Sequence, residues 1–181
     1  MIRKLSVGFF SFLFLILILS GFYLVNFCQT TIVYGQEKVF YNLPYPGILP
    51  DHPLYTVKVI RDKLMDILTR DHIKKANLYL LFSDKRVNMA IMLSKKGKNK
   101  LAVTTFAKGE KYFLKIPDIL VNSKKQGVAA SSELIETLKL SNAKHREIAT
   151  DLLKVAPANQ ITTMEEVIKI NQEIKDKLKK L

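Results

Sequence analysis

The sequence predicts an all-α protein: an N-terminal transmembrane or signal helix, then an antiparallel bundle or hairpin array of about five amphipathic helices. Three observations support this prediction. Residues 5–27 carry no charge. From residue 54 onward, apolar residues recur at steps of three and four, the period of an α-helix. After residue 43 there is no alternating apolar and polar run of the kind that marks a strand. We divide the chain into a signal peptide or membrane anchor (1–35), a tether with a Pro/Gly-rich collar (36–53) and an exported helical domain (54–181).

The N-terminal segment has the charge pattern of an export signal. Arg3 and Lys4 precede a run of 23 uncharged residues. At about 1.5 Å per residue, this run is long enough to cross the roughly 30 Å hydrocarbon layer of a membrane. Because basic residues lie only on its N-terminal side, we expect everything after it to be exported. Gly35 offers the small residue of a cleavage site, whereas the run exceeds the apolar core of most signal peptides. A retained anchor and a secreted, cleaved form both stay open.

The excess of basic residues permits attraction to an anionic partner, but charge alone does not choose which one. Apart from Arg3 and Lys4, the chain has 27 basic and 16 acidic residues, a net charge of +11. Such an excess attracts lipid head groups, anionic wall polymers or nucleic acid. Nucleic acid is the least favoured of these, because only four of the basic residues are arginine, and base recognition favours arginine and exposed aromatics. The single cysteine, Cys28, excludes an intrachain disulfide and a Cys-based zinc site.

Residues 43–55, which we call the collar, interrupt all helical patterns. Four prolines forbid helix here, and Pro46-Gly47 supplies the fixed φ and the positive φ of a type II turn. The collar is too apolar for a linker, so we expect it to pack on the bundle, with Tyr45 and Tyr55 near Leu78 or Phe82. The rival interpretation is a Pro-Tyr-Pro peptide displayed to a partner. The residues assigned a structural role are Pro44, Tyr45, Pro46, Gly47, Pro50, Asp51, Pro53 and Tyr55.

The first two helices follow the collar. Asp51 and His52 lie where a cap for the first helix belongs, with Pro53 in its first turn. Asp71 is predicted to cap the second helix, which ends near Lys96 with Gly97 just after it. The first helix has the apolar residues Leu54, Val57, Ile60, Leu64, Ile67 and Leu68 at helical spacing. The second has a surplus of apolar residues, Leu81, Phe82, Met89, Met92 and Leu93, which indicates neighbours on two sides.

The remaining helices have recognisable ends. A third helix opens at Asn99 and ends at Gly127, with a kink at Pro117 and with Lys100, Lys108, Lys111 and Lys115 outside. Ser131 or Ser132 caps the fourth, which Pro157 ends, and Thr162-x-x-Glu165 is a capping box for the last. The last two helices carry coiled-coil-like seams, so we expect them to pack as an antiparallel pair. The seams are Leu134, Leu138, Ser141, His145, Ile148, Leu152 and Val155, and Met164, Val167, Asn171, Ile174, Leu178 and Leu181.

No motif for catalysis, a metal or a cofactor is found. His52, His72 and His145 are the only histidines, and none has a His or Glu three or four residues away. We interpret them as a cap, a surface residue and a seam residue. There is no Gly-x-Ser-x-Gly elbow, no Gly-rich phosphate loop, and no histidine near Cys28. We therefore expect no enzyme, no catalytic residue and no bound cofactor.

Two charged clusters are candidates for ion pairs between helices. Asp62 in the first helix and Asp84 in the second lie near the apolar faces. A pair such as Arg61 with Asp84 would set the register of the hairpin. Ordinary solvated surface charge is the alternative. The candidate residues are Arg61, Asp62, Asp84 and Arg86.

The collar and the two helices after it resemble a bacterial family catalogued only as a domain of unknown function. The matching residues lie within 43–93 and include Leu43-Pro44-Tyr45-Pro46-Gly47, Leu49-Pro50-Asp51, Pro53-Leu54-Tyr55, Arg61-Asp62 and Asp84-Lys85-Arg86. Members of that family have an export segment, such a collar and long charged helices. The resemblance implies location and architecture, but no chemistry.

Two functions remain open. The first is a non-enzymatic helical interaction module at the outer face of the membrane. Its Lys-rich exterior would bind wall polymer, lipid head groups or another envelope protein. The second is an extracytoplasmic chaperone or stress-sensing protein. That function needs a concave, partly exposed apolar surface, which the surplus apolar residues of the second helix are expected to supply.

Overall fold

The computed structural model describes residues 38–181, and within this range the chain contains α-helices and no strand. The helices are α1 (Tyr55–Leu68), α2 (His72–Lys95), α3 (Asn99–Phe113), α4 (Ile116–Lys125), α5 (Ser132–Val155) and α6 (Ile161–Leu178), with a 3-10 turn at Ala158–Gln160. The predicted all-α class is confirmed for this part. The apolar run at 5–27, Cys28 and Gly35 lie outside the described residues. In the range that is described, every helix is too short or too polar to cross a membrane.

Both ends of α2 are determined by local chemistry, as predicted. The Asp71 carboxylate accepts a hydrogen bond of 2.7 Å from the backbone N–H of Lys74. At the other end Gly97 has a φ of 73°, which a glycine adopts without strain. The following N–H, of Lys98, donates to the carbonyl of Leu93 at 2.9 Å. This is the hydrogen-bond pattern of a Schellman motif, and it turns the chain back into α3.

The third predicted helix is in fact two helices. α3 ends at Phe113 and α4 begins at Ile116, with Pro117 in the first turn of α4. The prediction of a single kinked helix is wrong. Pro117 has no N–H to donate to the Phe113 carbonyl, and its ring crowds the preceding turn. A proline is tolerated in a first turn, so the chain stops and restarts there.

α5 and α6 form the predicted antiparallel pair. Asn142 and Asn171 each donate a side-chain hydrogen bond of 3.1 Å to the backbone carbonyl of the other. Arg146 donates to the carbonyl of Ile168 at 2.7 Å. Residue numbers thus rise along α5 as they fall along α6, which fixes the antiparallel direction. The seam residues of both helices are buried or half-buried except Val155, which is exposed.

The start of α6 differs from the prediction. The N-cap is Gln160, with no side-chain hydrogen bond, and Thr162 lies inside the helix. The predicted capping box is therefore wrong. The cause lies just upstream, where the N–H of Gln160 donates to the carbonyl of Pro157 at 2.7 Å. The chain is already turning in the 3-10 segment, so the helix begins before Thr162.

Two hydrophobic clusters form the core, and α2, α3, α5 and α6 contribute to both. The first also includes α4 and consists of Ala76, Leu78, Tyr79, Leu80, Phe82, Phe113, Ile116, Leu120, Leu134, Leu138, Ile174 and Leu178. The second consists of Val87, Ala90, Leu93, Ala102, Val103, Phe106, Ile148, Ala149, Leu152, Met164 and Val167. Each of the four helices has at least one buried polar residue between its members of the two clusters, and the site described next consists of such residues.

Candidate functional site

A buried polar layer separates the two hydrophobic clusters. It contains Asp84 from α2, Glu110 from α3, His145 from α5 and Asn171 from α6. Each of these residues lies on its helix between members of the first cluster and members of the second. His145 and Glu110 have no solvent exposure at all.

His145 connects two carboxylates that belong to different helices. Its Nδ1 lies 2.7 Å from Oε1 of Glu110, and its Nε2 lies 2.9 Å from Oδ1 of Asp84. We assign both ring nitrogens as donors to these carboxylate oxygens, which makes the ring an imidazolium. Burial by itself lowers the pKa of His145, but the charges and hydrogen bonds of Glu110 and Asp84 outweigh it and raise the pKa to about 9.

The remaining acceptor positions of the two carboxylates are also occupied. Ser141 Oγ donates to Oδ1 of Asp84 at 2.7 Å, and the Tyr41 hydroxyl donates to Oδ2 at 2.6 Å. Asn171 Nδ2 donates to Oε2 of Glu110 at 3.3 Å. Burial, and then the hydrogen bond to Asp84, raise the pKa of Tyr41. The network is thus well satisfied, which a buried charged cluster requires to be tolerated.

This geometry suits the ordering of helices better than chemistry on a substrate. The Ser141 hydroxyl lies 3.4 Å from His145 Nε2, but its proton goes to Asp84. The groups are sealed from solvent, so no substrate can approach them in this conformation. The two carboxylates face opposite nitrogens of the ring, and the described residues contain no set of three His, Cys, Asp or Glu side chains arranged to hold a metal ion. The layer therefore fixes how four helices and the Tyr41 segment are placed against one another.

Sequence reasoning located His145 in the seam of α5 but missed its partners. Glu110 and Asp84 lie 35 and 61 residues away along the chain. One signal was available: Ser141, His145 and Asn171 are polar residues at seam positions that are otherwise apolar. Polar residues at such positions commonly specify register between helices.

The expected ion pair between Arg61 and Asp84 does not form. Arg61 Nη2 lies 2.7 Å from Asp62 Oδ1 on its own helix. The contact between helices is instead made by Arg86, whose Nη2 lies 3.9 Å from Asp62 Oδ2. Asp84 and Arg86 are two residues apart, hence about 200° apart around α2, so they point to opposite sides. The Arg86 guanidinium also lies over the ring of Tyr112, 4.4 Å from its centroid, and so links α1, α2 and α3.

The collar docks on the bundle through its backbone more than through its tyrosines. Lys58 Nζ donates to the carbonyl of Pro46 at 2.7 Å, and Asn88 Nδ2 donates to that of Pro44 at 2.9 Å. Leu49 is a buried apolar side chain of the collar. Tyr45 is 79% exposed, so the expectation that it packs near Leu78 or Phe82 is wrong. Tyr45 lies between two prolines whose carbonyls face the bundle. The carbonyl of Pro44 faces α2 and that of Pro46 faces α1, whereas the ring of Tyr45 is exposed.

The ends of the collar also differ in part from the prediction. Gly47 has the expected positive φ, 71°. Asp51 does not cap α1, because its carboxylate lies 2.8 Å from Lys98 Nζ and 3.2 Å from Lys96 Nζ. The hydrogen bond from Lys98, assisted by Lys96, lowers the pKa of Asp51 to about 2. The start of α1 has no side-chain cap. Of the remaining collar residues, Pro46 is buried, Pro44, Pro50 and Tyr55 are half-buried, and Pro53 is exposed.

The surplus apolar residues of α2 are mostly part of the core. Phe82, Met89 and Leu93 are buried, whereas Leu81 and Met92 are exposed. This distribution explains the width of the apolar face, because α2 contributes to both hydrophobic clusters. Of the five residues expected to supply the apolar surface of a chaperone, two are therefore exposed and three are in the core.

One family model matches the chain over residues 47–181, and its description is Domain of unknown function (DUF5667). This chain belongs to the DUF5667 family. No curated protein and no solved structure matches it. The DUF5667 match begins at Gly47, inside the collar, and includes helices α1 to α6 of the described part and the core of the polar layer. Tyr41 precedes the matched DUF5667 region, although its hydroxyl completes the hydrogen bonding of Asp84.

Proposed function

We propose that this protein is a non-enzymatic module of the cell envelope. In this proposal the N-terminal segment holds the helical domain at the outer face of the membrane, or releases it there after cleavage. The domain binds an anionic envelope polymer through a row of lysines on α3. The observation that carries the proposal is this row, which consists of Lys100, Lys108 and Lys111.

The three lysines lie on one side of α3. At about 100° per residue they fall within roughly 80° of one another around the helix axis. With a rise of about 1.5 Å per residue, the row is roughly 16 Å long. All three are exposed, and none forms a salt bridge with an acidic residue of the described part of the chain. A polymer with repeated negative charges can contact all three at once.

The rest of the described structure is consistent with binding rather than catalysis. In the part of the chain that the structure describes, the cluster formed by Asp84, Glu110, Ser141 and His145 is sealed inside the bundle. A single exposed ion pair contributes at most about 1 kcal/mol. A row of them engages a polymer through several weak contacts together, and such binding weakens as salt screens the charges.

The test compares two variants that lose the same charge. In the first, Lys100, Lys108 and Lys111 are changed to Gln. In the second, glutamine replaces three lysines that already have an acidic partner three residues earlier in the chain. These are Lys139, Lys154 and Lys179, at 4.0, 2.8 and 3.3 Å from Glu136, Asp151 and Asp176. Binding is measured by sedimentation with isolated cell walls at low and high salt.

We expect salt-sensitive sedimentation of the wild type, most of it lost in the first variant and most of it kept in the second. Equal loss in both variants would mean that only net charge matters, and that α3 is not the binding surface. Absence of sedimentation in the wild type would contradict the proposal itself.

The alternative, an extracytoplasmic chaperone or stress sensor, has less support. It relied on five apolar residues of α2, and three of them lie in the core. Suppression of the aggregation of a denatured client protein by the wild type would restore it.

A further inference from the structure

We propose that α1 is a membrane-surface helix, whose outer face lies on the lipid bilayer while Arg61 and Lys63 contact anionic head groups. This inference rests on the proposed location of the domain at the outer face of the membrane. It assigns a different surface, and a different partner, from the lysine row on α3.

α1 is oriented with its polar side toward the protein. Its buried residues are Lys58 and Asp62. Five of its apolar residues face outward and are between 54% and 73% exposed: Val57, Ile60, Leu64, Ile67 and Leu68. An apolar helix face normally covers a core. Here the buried residues are charged. The apolar side of α1 therefore stays in contact with water unless another partner covers it.

The charges around this face are placed as in interfacial helices. At about 100° per residue, the five apolar residues span roughly 100° of the helix circumference. Lys63 lies just beyond one edge of this arc and Arg61 just beyond the other, and both are exposed. Helices that lie in the plane of a membrane have such an apolar face flanked by cations that reach lipid phosphates.

The collar extends this face. Tyr45, Ile48 and Leu54 are exposed apolar side chains that line a cleft of about 350 Å³ between the collar and α1. Arg61 and Lys85 also line this cleft. Ten of the seventeen exposed large apolar side chains of the described range lie between Phe40 and Leu68. Such concentration marks an interaction surface, and the cations in the cleft match an anionic head group.

The position of α1 in the chain favours a bilayer as its partner. The apolar run ends at Phe27, and the structure begins at Lys38. The ten residues between them span at most about 36 Å. If the run is a membrane anchor, the domain is held near the lipid surface, and α1 is its first helix. A second copy of the chain is disfavoured, because facing α1 helices would bring Arg61 and Lys63 of both copies together.

The absence of tryptophan from the chain makes the test simple. Ile60→Trp places a single fluorophore within the apolar face of α1, at a side chain that is 63% exposed and therefore outside the core. Leu140→Trp is the matched control, because Leu140 is an exposed leucine on α5. Each full-length variant is reconstituted in vesicles of mixed zwitterionic and anionic lipid. Emission wavelength and quenching by lipids brominated on their acyl chains are then measured after flotation.

We expect blue-shifted emission from Ile60→Trp and quenching about twofold or more stronger than for Leu140→Trp. Quenching should fall when the anionic lipid is omitted, and quenching unaffected by this omission would overturn the head-group contact. Flotation with equal quenching of both variants would overturn the inference and leave the membrane anchor intact. A blue shift without quenching would mean that protein covers α1, which also overturns it. A chain that does not float refutes membrane attachment itself, and the inference with it.

Discussion

Raising the pH should weaken the folded domain because His145 must give up its proton. Its pKa is about 9 in the folded state, against an ordinary value of 6.5. The folded domain thus keeps this proton through a pH range in which the unfolded chain has lost it. The resulting stabilisation is complete below pH 6.5 and is lost as the pH rises to about 9. At about 1.4 kcal/mol per pH unit, the loss is about 3 kcal/mol.

The assay is urea unfolding of residues 36–181 at several pH values between 6 and 9.5, with linear extrapolation to water. His145→Gln is the test variant. A neutral amide cannot serve both carboxylates, so we expect a loss of about 3 to 5 kcal/mol at pH 6, the cost of leaving a buried charge unpaired. His72→Gln is the control, because His72 lies at the start of α2, outside the polar layer.

The informative quantity is the difference in unfolding free energy between the wild type and His145→Gln. Taking this difference removes the contribution of other groups that titrate in the same range. Lys58 is one of them, because burial lowers its pKa to about 8, which makes stability rise with pH above that value. We expect the difference to shrink between pH 6.5 and 9. A difference that stays constant over this range would refute the assignment of an imidazolium between Glu110 and Asp84.

Three further predictions concern the core, the collar and the N-terminus. Leu152→Asp should destabilise the domain by about 4 kcal/mol because it buries an unpaired charge, whereas Val155→Asp on the same helix should have little effect; equal melting temperatures would contradict this. Leu49→Ala should cost about 2 to 3 kcal/mol, and Tyr45→Ala less than about 0.5, in thermal unfolding; the opposite order would mean that the ring of Tyr45 docks. A reporter fused after Leu181 should be active only outside the cytoplasm, and cytoplasmic activity would exclude the proposed topology.

Helix ends with strong local signals were predictable from the sequence. Asp71 and Ser131 each accept a hydrogen bond from the backbone N–H three residues later. The start of each of these helices is therefore determined within one turn of the chain. Gly97 and Pro157 act through their own backbone. Such effects depend on neighbouring residues only, which is why sequence reasoning placed both ends of α2 and the end of α5 correctly.

Predictions that depended on more distant parts of the chain were less successful. Asp51 looked like a helix cap, yet its carboxylate lies beside Lys96 and Lys98, which the fold brings within hydrogen-bonding distance. Arg61 and Asp84 looked like a pair between helices, but α2 directs Asp84 toward His145 instead. A charge in a sequence has many possible partners, and only the packing of the helices selects one.

The sequence by itself determined the all-α class, the presence of amphipathic faces and most helix ends, because these follow from period and local hydrogen bonding. Only the tertiary structure decided which side of a helix faces inward. In α1 the polar side faces inward and the apolar face points out. Lys58 donates a hydrogen bond to a carbonyl of the collar, and Asp62 pairs with the guanidinium of Arg86 on α2. The polar layer likewise exists only in three dimensions. His145 has an imidazolium charge because folding places two carboxylates against it.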